Sequence, residues 1–113
     1  MHELSLCGSI YELAERAADG RPVAVINLQI GQLRQVVPDT LRYCWTLVSD
    51  QTDLGGSTLE IDSVPVTLRC HECDSDTALT DHLLLICGGC GGTQVQVTTG
   101  EEFVLTSLEL AEV

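Results

Sequence analysis

From Glu3 to Ala18 the apolar residues Leu6, Ile10, Leu13 and Ala17 recur at three- and four-residue intervals, while Glu12, Glu15 and Arg16 fall on other faces. That period predicts an amphipathic helix. Its early acids suit the positive end of the helix dipole, Arg16 suits the other end, and Asp19-Gly20 supplies the stop. Val23 to Ile30 alternates instead, with Ala24, Ile26, Leu28 and Ile30 on one face, and predicts a strand bounded by Pro22 and Gly31. Pro38 and Asp39 open a second helical pattern, in which Leu41, Cys44, Trp45 and Val48 form the apolar face and Gly55-Gly56 lies beyond the end. Thr58 to Arg69 reads as a second strand in two parts, with a bulge, bend or edge position around Asp62 to Pro65 where the parity changes. Glu102 to Val113, with Val104, Leu108 and Leu110 on one face, predicts a third strand.

Between the last two strands the composition shifts. Residues 70–100 hold four cysteines, many glycines and few bulky apolar side chains except Leu83 to Ile86, so this stretch buries little core and needs another fastening. The pattern predicts an α+β fold, two helices on a small three-stranded sheet, with an inserted four-cysteine zinc-ribbon domain. The division expected is a main domain of residues 1–69 plus 101–113 and an insertion of residues 70–100.

Charge narrows the partners. The 113 residues carry 17 Asp and Glu against 5 Arg and no Lys, a net charge of −12, with 44% hydrophobic residues to build a small core. Such an excess repels phosphate backbones and anionic headgroups, so neither nucleic acid nor a membrane surface is expected as a partner. A secretory signal needs a basic start and an apolar stretch of roughly 7–15 residues. A spanning helix needs about 20. The start at Glu3 is acidic and the longest apolar run is Leu83 to Cys87, which predicts a cytoplasmic protein.

Six cysteines in a reducing compartment then call for an explanation other than structural disulfides. Cys70-His71-Glu72-Cys73 and Cys87-Gly88-Gly89-Cys90 are two CxxC pairs at the separation of structural zinc sites. Two intervening residues let a tight turn present both thiolates to one ion. Two such knuckles complete a tetrahedron with no open position for a catalytic water. Glycines beside the cysteines allow positive φ and close approach of backbone amides to sulfur. The same four sulfurs suit iron in a rubredoxin-like electron carrier, though no aromatic residue lies in the segment. Cys7 and Cys44, on apolar helix faces, read as small buried hydrophobes. His71 reads as an exposed loop residue, and His82 has no evident partner in the sequence. No GxGxxG follows a strand, and no phosphate-binding loop, nucleophile elbow or HExxH occurs, so no hydrolase, kinase or dehydrogenase is expected.

The first three residues, Met1-His2-Glu3, form a second constellation. The bulky His2 disfavours removal of Met1. A terminal amine, the next backbone nitrogen and an imidazole nitrogen can chelate one ion in fused rings, and nitrogen donors near one plane favour nickel(II) or copper(II) over zinc(II). On the tripeptide alone, a frayed terminus with an incidental histidine remains the alternative.

The start MHELSL, the α+β frame and the doubled CxxC ahead of a final strand together resemble the HypA/HybF family of hydrogenase maturation factors, over the whole chain. The resemblance implies a nickel metallochaperone, not an enzyme, that delivers nickel(II) to the large-subunit precursor of [NiFe]-hydrogenase with a HypB-type GTPase as partner. It implies a nickel site made by the Met1 α-amine, the His2 amide and imidazole and the Glu3 backbone nitrogen, and a structural zinc(II) site made by Cys70, Cys73, Cys87 and Cys90. A zinc-ribbon interaction or regulatory module without nickel function is the competing class.

Overall fold

The computed structural model describes residues 2–79 and 84–111. Helix α1 runs over Glu3–Ala18, strand β1 over Val23–Gly31, helix α2 over Pro38–Ser49 and strand β2 over Thr58–Val64. Strands β3 (Thr67–Cys70), β4 (Asp76–Ala78), β5 (Val95–Thr99) and β6 (Phe103–Leu110) follow, and a short 3-10 turn, Gln32–Arg34, follows β1. The strands form two three-stranded sheets, ordered β2-β1-β6 and β4-β3-β5. The expected α+β architecture, two helices with a small sheet and a separate cysteine-bearing ribbon, is what the chain adopts.

Two compact units result. The first comprises Met1–Gln29, Val36–Asp62 and Val104–Val113, and the second Ile30–Gln35 with Ser63–Phe103. The cysteine-bearing unit is thus larger than residues 70–100, because strand β3 begins before Cys70 and the turn at Gln32–Arg34 joins it.

In the first unit α1 ends where Asp19 takes the left-handed conformation (φ 50°) and returns its N–H to the Glu15 carbonyl. Arg21, rather than Arg16, serves the helix end: its guanidinium donates to the carbonyls of Ala18 (2.7 Å) and Ala17 (3.0 Å), acceptors that the helix leaves without partners. The buried stripe of α1 is Glu3, Cys7, Ile10, Ala14 and Ala18. It is rotated from the expected Leu6, Ile10, Leu13 and Ala17, and Leu13 is 40% exposed. Small side chains at 7, 14 and 18 let α1 lie close to its neighbours, as the Cys7 sulfur against the α2 backbone shows (3.6 Å to the Leu41 oxygen). Hydrophobicity alone does not reveal a preference for small residues at a contact. On α2, Leu41 and Trp45 are buried as the spacing predicts, and the Trp45 indole donates to the Ser57 hydroxyl at 3.1 Å. Tyr11 tilts against the Trp45 ring at 6.4 Å. With Ile26, Leu28, Leu54 and Leu59 these side chains make the first core.

The carbonyl of Pro22 accepts from Ala111 and that of Asn27 from the Thr106 hydroxyl, while the amide of Gly31 donates to Glu102, so β6 runs antiparallel to β1. Of the face expected on β6, only Leu108 is half-buried, while Val104 and Leu110 stay 45% exposed, as befits an edge strand. The expected two-part strand Thr58–Arg69 is two strands in two sheets. Its break at Pro65, which cannot donate to a ladder, is where the chain leaves one sheet for the other.

In the second unit β3 pairs antiparallel with both β4 and β5. The bulge lies opposite Thr67 and Leu68, where Thr98 of β5 is extra. Val66, Leu68 and Leu79 form a buried apolar cluster in it, covered by Leu33, Val95 and Val97. Gly100 closes this unit with φ +114°, and a β-carbon there would meet the Val66 Cα at 2.9 Å. Gly8, in the middle of α1, has open space around it.

Substituting these two glycines should therefore act in opposite directions. Gly8→Ala should stabilise the chain by about 0.5–1 kcal/mol through helix propensity, and Gly100→Ala should destabilise it by at least about 1 kcal/mol through the positive φ alone. Urea unfolding followed by circular dichroism checks both, and a Gly100→Ala midpoint equal to the parent's would contradict the close approach.

Candidate metal centre

The two CxxC pairs are built to one backbone plan. In the first knuckle the Asp74 N–H donates to the Cys70 carbonyl (3.1 Å) and the Cys70 N–H to the Ser75 carbonyl (2.9 Å). In the second, the Gly91 N–H donates to the Cys87 carbonyl (2.9 Å) and the Cys87 N–H to the Gly92 carbonyl (2.9 Å). The fifth residue of each knuckle takes positive φ, Asp74 at 58° and Gly91 at 72°. Aspartate is among the few residues that tolerate this conformation, which is why glycine was needed in only one of the two turns.

This plan turns all four sulfurs inward. The Sγ atoms of Cys70, Cys73, Cys87 and Cys90 lie within 4.8 Å of one another, with Cys70–Cys90 and Cys73–Cys87 both at 3.6 Å. A tetrahedral ion with bonds of about 2.3 Å to sulfur has sulfur–sulfur edges of about 3.8 Å, so the two pairs at 3.6 Å are near zinc geometry and no other pair needs to close by more than about 1 Å. Cys70 and Cys87 are buried, while Cys73 and Cys90 are exposed. Backbone amides surround the sulfurs: Glu72 N–H reaches Cys70 at 3.4 Å, and Gly89 and Cys90 N–H reach Cys87 at 3.3 and 3.5 Å. These donors offset the negative charge that a four-thiolate site accumulates. A β-carbon at Gly92 would come 3.2 Å from the Cys90 sulfur, which would have to give by a few tenths of an ångström, and 2.6 Å from a carboxylate oxygen of the exposed Glu72, which can swing aside.

Two supporting hydroxyls were not legible in the motif. Ser75 Oγ lies 3.0 Å from the Cys73 sulfur and 3.4 Å from that of Cys87, and Thr77 Oγ1 accepts the Gly88 N–H at 3.0 Å. The Ser75 hydroxyl, followed by the amides of Cys90 and Gly89, holds the Cys87 thiol down to about 5, and Ser75 also lowers Cys73. At Cys90 the Gly92 amide pulls the thiol down, but the neighbouring sulfurs of Cys70, Cys87 and Cys73 outweigh it and push it up to about 12. Without a cation the cage thus carries a ready thiolate at Cys87 and a retained proton at Cys90. His71 is exposed, and only its backbone is fixed, donating to the Gln94 carbonyl at 2.8 Å. Among the described residues the four cysteines are the one cluster of three or more metal-ligating side chains.

The second constellation is resolved in part. Met1 lies outside the described residues, as do His82 and Leu83. His2 is exposed and forms the N-cap of α1 without a side-chain capping bond. Glu3 is the first helical residue, and its carboxylate is buried and accepts the Val37 N–H at 3.5 Å. Its own backbone N–H, then that of Val37, hold this carboxyl below the ordinary carboxylate range against the opposing effect of burial, with the neighbouring His2 adding to the lowering. The structure thus gives Glu3 an anchoring role through its side chain. The first helical bond runs from the Leu6 N–H to the His2 carbonyl (2.9 Å), so the backbone nitrogens of His2 and Glu3 carry no helical bond.

The family model described as "Hydrogenase/urease nickel incorporation, metallochaperone, hypA" matches residues 1–110. The hydrogenase maturation factor HypA of Roseiflexus sp. strain RS-1 is 40% identical over 112 residues, which cover 96% of this chain and 91% of that protein. HypA of Nostoc sp. strain PCC 7120 is 36% identical over 113 residues, covering 100% and 98%. In fold, the chain is similar to the solution structure of the Ni metallochaperone HypA from Helicobacter pylori, with a TM-score of 0.68, 23% identity and 97% of each chain covered. No described helix is long and apolar enough to cross a membrane.

Loading the metal-free chain with zinc at pH 7 should release fewer than four protons, because Cys87 ionises at about 5 and has already lost its proton. Ser75→Ala should raise that number, since the largest influence lowering Cys87 is removed. Calorimetry in buffers of different ionisation enthalpy reads the count, and an unchanged count in the variant would contradict the role given to Ser75.

Proposed function

The chain belongs to the HypA family of hydrogenase and urease nickel-incorporation metallochaperones, and from that premise we propose that it carries nickel(II) on its N-terminus to the large-subunit precursor of [NiFe]-hydrogenase in the cytoplasm. The ligands are the Met1 α-amine, the backbone nitrogen and imidazole of His2, and the Glu3 backbone nitrogen. The observation that carries this reading is the start of α1: an exposed histidine free of capping, followed by backbone nitrogens that hold no helical bond. Nickel can displace amide protons there without unwinding the helix, and nitrogen donors in a fused-ring array match its tetragonal preference. The Glu3 carboxylate, bonded to the Val37 N–H, keeps the first turn in place during loading and release.

Cys70, Cys73, Cys87 and Cys90 hold zinc(II), which supplies a cross-link in a unit whose buried apolar core among the described residues is Val66, Leu68 and Leu79. The stapled unit then offers a defined surface to the maturation machinery, including a HypB-type GTPase that exchanges nickel with this chain. A terminal site suits such exchange, because a partner can take it apart without disturbing a core.

His2→Ala should lose the single nickel equivalent while keeping one zinc and an unchanged circular dichroism spectrum, and Cys73→Ala should lose zinc and keep nickel. Metal content of the untagged chain after nickel dialysis, read by mass spectrometry, checks both. Tight nickel binding that survives His2→Ala would overturn the assignment and leave a zinc-ribbon interaction module.

A further inference from the structure

Cys7 and Cys44 stand outside the four-sulfur centre. Cys7 lies on the buried stripe of α1 with no exposed surface, and its sulfur sits 3.6 Å from the Leu41 carbonyl oxygen of α2. A helical carbonyl points along the axis toward the following turn. In α2 that turn carries Cys44 and Trp45, so the Cys7 sulfur is set against the turn bearing the second thiol. The two thiols feel one another: burial pushes Cys7 up to about 11, and the nearby Cys44 contributes to the rise. Cys44 is only half-buried. Cys7 is thus shut away from solvent, while the residue bearing the second thiol keeps part of its surface exposed.

We propose that Cys7 and Cys44 are an oxidant-sensitive pair that closes into a disulfide between α1 and α2. The oxidant is a low-molecular-weight disulfide. The Cys44 thiolate attacks one of its sulfurs, forms a mixed disulfide and releases one thiol. Cys7 then gives up its proton and attacks the Cys44 sulfur, which forms the internal bond and expels the second thiol. Two protein thiols are oxidised, one external disulfide is reduced to two thiols, and the chain ends lighter by two hydrogens. Burial and the retained proton make Cys7 a poor first target and reserve it for the second step, where proximity compensates for low thiolate content. The bond closes within the helical unit and leaves the metal-centre sulfurs unused. It ties the second turn of α1 to α2, one turn beyond the anchor between Glu3 and the Val37 amide.

The test treats the zinc-loaded full chain with oxidised glutathione, blocks remaining thiols, and maps the peptides by mass spectrometry. A peptide joining Cys7 to Cys44, with zinc still bound, reversal by dithiothreitol, and slower hydrogen exchange in the first turns of α1 are expected. Cys44→Ser should abolish the link, and Cys7→Ala should leave a stable glutathione adduct on Cys44. The proposal is overturned by a lasting adduct on Cys44 in the parent chain, by oxidation confined to the four metal-site cysteines with loss of zinc, or by no oxidation at all.

Discussion

Four thiols within 4.8 Å of one another is an arrangement that needs a cation. Against the lowering by the Gly92 amide, hydrogen bonds to the sulfurs of Cys70, Cys87 and Cys73 keep the proton on Cys90 and push its thiol up to about 12. The surrounding unit has only a small apolar cluster, Val66, Leu68 and Leu79, to hold it, and its turns are polar. Amides from Glu72, Gly89 and Cys90, with the hydroxyl of Ser75, are already aimed at sulfur. The cage is therefore prepared for a metal.

The other end of the molecule follows the opposite logic. On the proposed reading its ion is cargo to be surrendered, and ligands at a chain end, not in a cage, suit that task. What the fold contributes is a stable base for that end. Helix α1 is seated through small side chains against α2, and the buried Glu3 carboxylate bonds the amide that precedes α2. Holding the base firm while leaving the backbone nitrogens of His2 and Glu3 out of the helical ladder reconciles binding with release.

Much of this was legible in the chain because it is local. The doubled CxxC identifies the four cysteines that the fold gathers into one cluster able to hold a metal ion, Pro38 begins α2, and alternation marks β1. Errors arose where a feature depends on a neighbour. Hydrophobicity placed Leu13 inward on α1, whereas close helix packing selects Cys7, Ala14 and Ala18. Parity suggested a bulge, bend or edge position within one strand around Asp62 to Pro65, whereas the chain there passes from one sheet to the other. Ser75 and Thr77 have no motif that announces them, since a hydroxyl becomes a sulfur or amide partner only after two distant knuckles meet.

By itself, then, the sequence determined which residues can bind metal, the acidic net charge, and the class of fold, because ligand chemistry, charge and periodicity belong to the residues themselves. Only the tertiary structure decided which face of α1 is buried, that Glu3 serves through its carboxylate, that Cys7 is set against the turn bearing Cys44, and how far the cysteine-bearing unit extends. Each of these is a relation between segments distant along the chain, fixed by backbone approach and hydrogen bonding that no local pattern encodes.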